Sequence, residues 1–265
     1  MGTRNPNTRS RVMFTARNMV FAGVASYDAD AATYFAAIAT AGSSITTANK
    51  AAVNAFIVGC KSDGIWTAIK ACCLLAGPDN LTGALVPLVG SAPTNSNFVS
   101  GDYSRTAGLV GDGSTKHLSS NRNNDADPQN SKHLAVWINS TSSGSKCPIG
   151  SGAALAGNSQ ILQTTSSFFR VNFDAPTGAA FANVLGSGFC GVSRSLSASS
   201  NYRNLNGTGT ISDTSNVPTN SVIDVFRRSG GTLYSNQRLS YYSIGESIDL
   251  SLLESRLSTY VTALT

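Results

Sequence analysis

The residues from Gly108 to Asn130, GLVGDGSTKHLSSNRNNDADPQN, hold two patterns of types and spacings that could do chemistry. Gly108, four residues, Gly113 and then Ser114-Thr115-Lys116 approximate a phosphate-binding loop. Such a loop turns backbone N–H groups onto a phosphate, with a lysine directly behind the second glycine and a helix beyond it. Here the lysine is displaced, and HLSSNRNN behind it has no helical period. The nucleotide reading fails on both counts. A strand, a turn at Gly111-Asp112-Gly113 and a second strand through His117 and Leu118 are expected instead, as a hairpin-like pair. Asn123, Asn124, Asp125 and Asp127 supply hard oxygens ahead of Pro128. Calcium takes about 6 to 8 oxygens, and the glycine and terminal glutamate of an EF-hand loop are missing. Asp125 and Asp127 are the calcium candidates. The competing reading is a loop whose Asx side chains hydrogen-bond their own backbone.

Catalytic constellations are scarce. Glu246, Asp249 and Glu254 gather at the start of the last helical segment, where acids favour the helix dipole and cap the first turn. There is no G-x-S-x-G, and His117 and His133 lie in or beside strand-like segments. A non-enzymatic protein without a resident cofactor is expected. The five cysteines, Cys60, Cys72, Cys73, Cys147 and Cys190, are odd in number and widely spread, which argues against a disulfide scaffold. With no C-x-x-C, zinc is rejected as well, and free cysteine in a core acts as a small hydrophobe.

The chain of 265 residues has 41% hydrophobic but only 12% charged residues, so Ser, Thr, Asn and Gly carry its polarity. That charged share is about half of that in an average globular domain. Part of the net charge of +5 sits on Arg4, Arg9, Arg11 and Arg17, ahead of the first acid at Asp28. A basic arm can bind nucleic acid; the reading preferred here is an arm that docks on neighbouring proteins, with no specific nucleic-acid role. No apolar run reaches the ~18 residues of a membrane helix. The start, MGTRNPNTRSRVMF, lacks the apolar stretch of a secretory signal.

Three sets of elements would position these residues. An extended arm over residues 1–27 comes first. A small helical part over residues 28–90 follows, with helices over about 30–41, 47–62 and 64–77. In the second, Val53, Phe56, Ile57 and Cys60 recur at helical spacing. From about residue 79 short apolar pieces alternate with turn residues: HLAVWIN, SFFRVNFD, GFCGVSRS, SVIDVFRR and RLSYYSIG all read as strands, with a hairpin through Ser229-Gly230-Gly231 and a tight turn at Asn206-Gly207. Many short strands mean a sandwich or barrel. Asp249 caps a closing helix, with Leu250, Leu253, Leu257, Val261 and Leu264 on one face.

The block from about Asn97 to Leu264 resembles a concanavalin A-like, laminin-G-type jelly roll. GLVGDGSTKHLSS is similar to the early strand pair of that family, NSKHLAVWINSTSSG to its central strand and loop, and VIDVFRRSGGTLYSNQRLSYYSIG to its late hairpin and last strand. NAFIVGCKSDGIWTAIKACCLLAG and the terminal helix resemble bacteriophage, especially cyanophage-like, virion structural proteins. The E-x-D-x-x-E of glycoside hydrolases with this sandwich is absent. The resemblance implies a mainly β fold: a jelly-roll sandwich over residues 91–265 with its terminal helix, behind the arm and the helical part. It implies a non-enzymatic virion protein made in the host cytoplasm, with a homotrimer as the preferred oligomer. The expected role is a tail- or fibre-associated adsorption module that contacts host glycans; the alternative is a capsid cement or decoration protein. Arg4, Arg9, Arg11 and Arg17 would meet other virion proteins. Asn123, Asn124 and Tyr202 are the candidate ligand or partner contacts, and an exposed Tyr103, Trp137, Tyr241 or Tyr242 beside Asn or Asp would add to the glycan reading.

Overall fold

The structure is a computed structural model that describes residues 1–2, 26–140, 144–152, 156–163, 167–172, 180–181, 186–205, 207–231 and 233–265. Residues 3–25 of the arm, with Arg4, Arg9, Arg11 and Arg17, lie outside these residues, as does Asn206. The helices are α1 (Ala29–Thr40), α2 (Thr47–Ser62), α3 (Leu81–Ala84) and α4 (Leu250–Thr262). The strands begin with β1 (Ile69–Leu74), β2 (Thr94–Ser96), β3 (Tyr103–Ser104), β4 (Gly108–Val110) and β5 (His117–Asn123). Next come β6 (Lys132–Ser140), β7 (Lys146–Ser151), β8 (Gln160–Gln163), β9 (Ser167–Arg170) and β10 (Ala180–Phe181). The series closes with β11 (Gly188–Arg194), β12 (Ser199–Asn204), β13 (Gly207–Ser212), β14 (Val222–Val225) and β15 (Arg238–Gly245).

The fold is mainly β, two antiparallel sheets with a C-terminal helix. An eight-stranded sheet runs β13-β12-β11-β6-β15-β4-β3, with β1 added on β15; a seven-stranded sheet runs β10-β9-β8-β7-β14-β5-β2. Leu118, Ile149, Ile161, Ile223 and Val225 of the seven-stranded sheet meet Leu134, Val136, Val192, Tyr242 and Ile244 of the other in one buried core. The opposite face of the eight-stranded sheet is apolar too. Cys72, Ala135, Phe189 and Tyr241 pack there against Tyr34, Ile38, Val53, Phe56, Leu253, Leu257 and Tyr260 of α1, α2 and α4. A layer of helices therefore covers the sandwich, which explains why β6 and β15 are apolar on both faces rather than alternating. Tyr241 and Tyr242 are both buried, one toward the helices and one toward the sandwich, because strand neighbours point to opposite faces.

Three expectations change. The third helix, residues 64–77, is a 3-10 turn at Trp66–Ala68 followed by β1, paired with β15 through Cys72↔Ser243 and Cys73↔Tyr242. Its short apolar run is buried on both sides, and periodicity alone cannot tell such a strand from a helix. β1 thereby joins a stretch expected to be helical to the sheet. Secondly, Gly108 to Leu118 is not a strand pair: β4 pairs with β15 and β3, and β5 with β14 and β2 in the other sheet. Between them Asp112 Oδ1 accepts hydrogen bonds from the Ser114, Thr115 and Lys116 N–H groups, and this local turn carries the chain from sheet to sheet. Thirdly, the hairpin at Ser229-Gly230-Gly231 is only local. Arg228 N–H bonds the Leu233 carbonyl and Arg227 bridges Tyr234, but β14 and β15 diverge into different sheets.

All five cysteines are free and buried. Burial pushes the Cys60, Cys73, Cys147 and Cys190 thiols up to about 12, so they pack as thiols rather than react as thiolates.

Candidate functional site

Four connections meet at one end of the sandwich: 124–131 after β5, 156–159 before β8, 171–172 after β9, and 213–221 between β13 and β14. Amide side chains stitch them together. Asn124 Nδ2 donates to the Gly157 carbonyl at 2.7 Å and to Asn172 Oδ1 at 3.1 Å. Asn172 Nδ2 donates to the Gln129 carbonyl, and Ser159 Oγ donates to Asn172 Oδ1. Gln129 Nε2 reaches Ser215 Oγ, which in turn donates to Asn130 Oδ1 at 2.6 Å. Gly157 has a φ of 79°, and a Cβ there would stand 2.1 Å from the Val217 carbonyl oxygen, so only glycine lets these loops touch.

Charge is used beneath this end, not on it. The Lys132 ammonium is fully buried, bonded to the Asn124 carbonyl and 3.4 Å from Asp127 Oδ2. Arg122 closes on the same carboxylate through both Asp127 oxygens. Burial pulls Lys132 down to about 8, although Asp127 opposes the fall. On the neighbouring strand Arg194, also fully buried, donates to the carbonyls of Val171, Leu196, Ser197, Ser199 and Asp213 and to the Asp213 carboxylate at 2.6 Å. Burial raises the Asp213 carboxyl despite that guanidinium. These cations fix the loops from inside.

What remains outward is a small polar array. Asn123, Asp125, Asn130 and Asn220 are exposed. Asn123 Nδ2 donates to Asn220 Oδ1 at 2.6 Å, which leaves the Asn123 carbonyl and the Asn220 amide for an outside group. Asp125 carries an exposed carboxylate with no hydrogen bond or ion pair among the described residues. Neutral donors, acceptors and one carboxylate on rigid loops suit a ligand rich in hydroxyls, which both give and accept hydrogen bonds.

The remaining candidates are placed elsewhere. Asp127 faces Arg122 and Lys132 and does not join Asp125 in a calcium cage; among the described residues no group of three metal-ligating side chains gathers. Asn124 is buried as a loop tie rather than a contact. Tyr202 stacks on Phe169 at 5.4 Å and packs against the sandwich core. Tyr103 bonds the Pro78 carbonyl, and Trp137 packs among the helix-side core. Tyr103, Trp137 and Tyr202 are thus held in packing contacts rather than presented as an open face. Glu246 pairs with Lys70 at 2.9 Å, Asp249 caps α4, and Glu254 pairs with Arg203. Lys116 pairs with Asp102 at 2.6 Å. Sequence reasoning missed Lys132, Arg194 and the 213–221 loop. Lys132 finds its partners only five and eight residues back, but nothing in the sequence marks them as buried; Asn123 and Asn220 meet across 97 positions, and only the polarity of SDTSNVPTNS hinted at a loop.

No family model matches this chain, and no curated protein does. Solved structures to which this chain is similar include the binding domain of botulinum neurotoxin serotype D, with 10% identity, a TM-score of 0.45 and 72% of this chain covered. This chain spans 51% of that one, about half its length. Another is domain 4 of AbnA, an arabinanase from Geobacillus stearothermophilus in complex with arabinotriose, with 9% identity, a TM-score of 0.36, and 63% of this chain and 82% of that one covered. A third is the enzymatically active domain of bacteriophage CBA120 tailspike protein 2, with 14% identity, a TM-score of 0.34, and 66% and 30% covered.

Proposed function

We propose that this chain is a non-enzymatic structural module of a phage virion, tail- or fibre-associated, that contacts host surface glycan through its amide-rich loop end. The observation that supports this reading is the outward set Asn123, Asp125, Asn130 and Asn220, held by buried Lys132, Asp127 and Arg194 rather than by its own flexible side chains. Loops on a rigid scaffold are where binding residues concentrate. Amide and carboxylate pairs match neighbouring sugar hydroxyls, and repetition of the module on a particle would raise the affinity of a single site.

A glycan array of host-envelope saccharides tests it. The native protein is expected to bind, and the N123A/N220A variant to lose binding by at least about tenfold while keeping its melting temperature. Absence of glycan binding, together with particles that lose heat stability when the protein is missing, would overturn adsorption in favour of the cement role.

A further inference from the structure

A β-sheet edge carries a row of unpaired N–H and C=O groups, and proteins blunt such edges by keeping them short, charged, bulged or covered. Among the described residues, the edge strands β3 and β10 have two residues each and β2 has three, while six-residue β1 is met on its outer side by Leu88 and Val89, which bond Cys72. The edge strand β13 has six residues, GTGTIS, with no charge and no proline. Its ladder with β12 runs without a shift from Ser199↔Ser212 to Asn204↔Gly207. Gly207, Thr208, Thr210 and Ser212 are exposed.

The hairpin fixes which groups face out. Two residues separate Asn204 from Gly207, so that pair is the first hydrogen-bonded one, and pairs alternate from there. Gly207, Gly209 and Ile211 turn their backbone groups to β12. Thr208, Thr210 and Ser212 turn theirs away. The charges nearest the strand are already neutralised, Arg203 by Glu254 and Asp213 by Arg194. Leu205, at the hairpin next to the edge, is 64% exposed.

We infer that β13 is the site where a second copy of this chain adds, antiparallel, about a two-fold axis at Thr210. That arrangement pairs all three outward residues: Thr210 meets Thr210 of the second copy, and Thr208 meets its Ser212. About six main-chain hydrogen bonds form, and the two eight-stranded sheets become one. A two-fold pair uses the same patch on both copies and leaves neither β13 edge open. It differs from the trimer implied by the sequence resemblance.

Sedimentation equilibrium over a range of concentrations is the test. The expected result is a particle of twice 27.4 kDa, with the amides of Thr208, Thr210 and Ser212 protected from hydrogen exchange in the dimer and released on dilution. T210P removes an outward N–H without touching the β12 ladder, a place where an edge strand tolerates proline. It is expected to weaken association by at least about tenfold with an unchanged circular dichroism spectrum. T210K, which sets two like charges on the axis, gives the same reading should the proline variant fail to fold. A monomer at every concentration, a trimer, or a dimer indifferent to a folded position-210 variant would each overturn the proposal.

Discussion

Lys132 carries its ammonium into the interior, where it meets the Asp127 carboxylate and the Asn124 carbonyl. Taking an ion from water costs several kcal/mol, and a well-placed partner returns most of it. Removal of only one partner therefore does the damage. D127N should cost about 3–5 kcal/mol of unfolding free energy, and D127N/K132M markedly less, as measured by urea denaturation. Equal losses in the single and double variants would show that the pair is not the cause. The buried His133 lies in the same strand, with Nδ1 against the Glu246 carbonyl and Nε2 against Ser243 Oγ. Burial brings it down to about 4 from the ordinary 6.5. Between these values the unfolded chain binds the extra proton, so the neutral imidazole's contribution is complete above 6.5 and drains away as pH falls toward 4, at up to about 1.4 kcal/mol per unit. H133Q should flatten the stability profile over that window, and a profile parallel to the native one would refute the assignment. Neither environment could be read from the sequence. His133 was legible as structural, but Lys132 has the look of any surface lysine at the mouth of a strand.

The helices were the most legible elements, because their apolar spacing repeats over several turns. Val53, Phe56, Ile57 and Cys60 all face the core, as do Leu250, Leu253 and Leu257. Their caps are polar side chains with defined partners. Asp249 Oδ1 accepts from Ser251 N–H at 2.8 Å and from Leu252 N–H at 3.3 Å, while Thr46 does the same for Asn49 in α2. D249A should destabilise the protein by about 1 kcal/mol, seen as a lower thermal midpoint, with D249N close to native; no difference between the two would deny the cap its role. The strands were legible as strands and much less so in their pairing. HLAVWIN and RLSYYSIG read correctly because β-branched and aromatic residues crowd them. What turn chemistry could not reveal was that the chain changes sheet at Asp112, or that it does so again between β14 and β15. A hairpin and a crossing between sheets use the same Gly, Ser and Asp residues, and the choice is made by partners far along the chain.

In the whole molecule, three layers divide the labour. The helices cover one face of the eight-stranded sheet, the second sheet covers the other, and polar loops with the long β13 edge are left outward. The mainly β sandwich with its closing helix was legible from composition and turn spacing. The helical cover was only half legible, since the run that continues it, KACCLL, is a strand. Of the candidate site, Asp125 was legible as a loop residue, whereas Asn123, expected in the same loop, closes β5; the roles of Asn124 and Asp127, inward rather than outward, depend on Lys132, Arg122 and Asn172.

β1 lies early in the chain, yet its partner is the last strand. Cys73 meets Tyr242 across 169 positions, Asp63 binds Arg256 across 193, and Asn49 receives the N–H of Thr265 across 216. During synthesis, then, the first helices and β1 leave the ribosome with their apolar faces open. They stay so until more than half the chain has followed. Loop closure over such spans is slow, and at roughly 5–20 residues per second the delay lasts about ten seconds or more. The apolar, cysteine-bearing run ACCLL is the segment most in need of a chaperone during that interval.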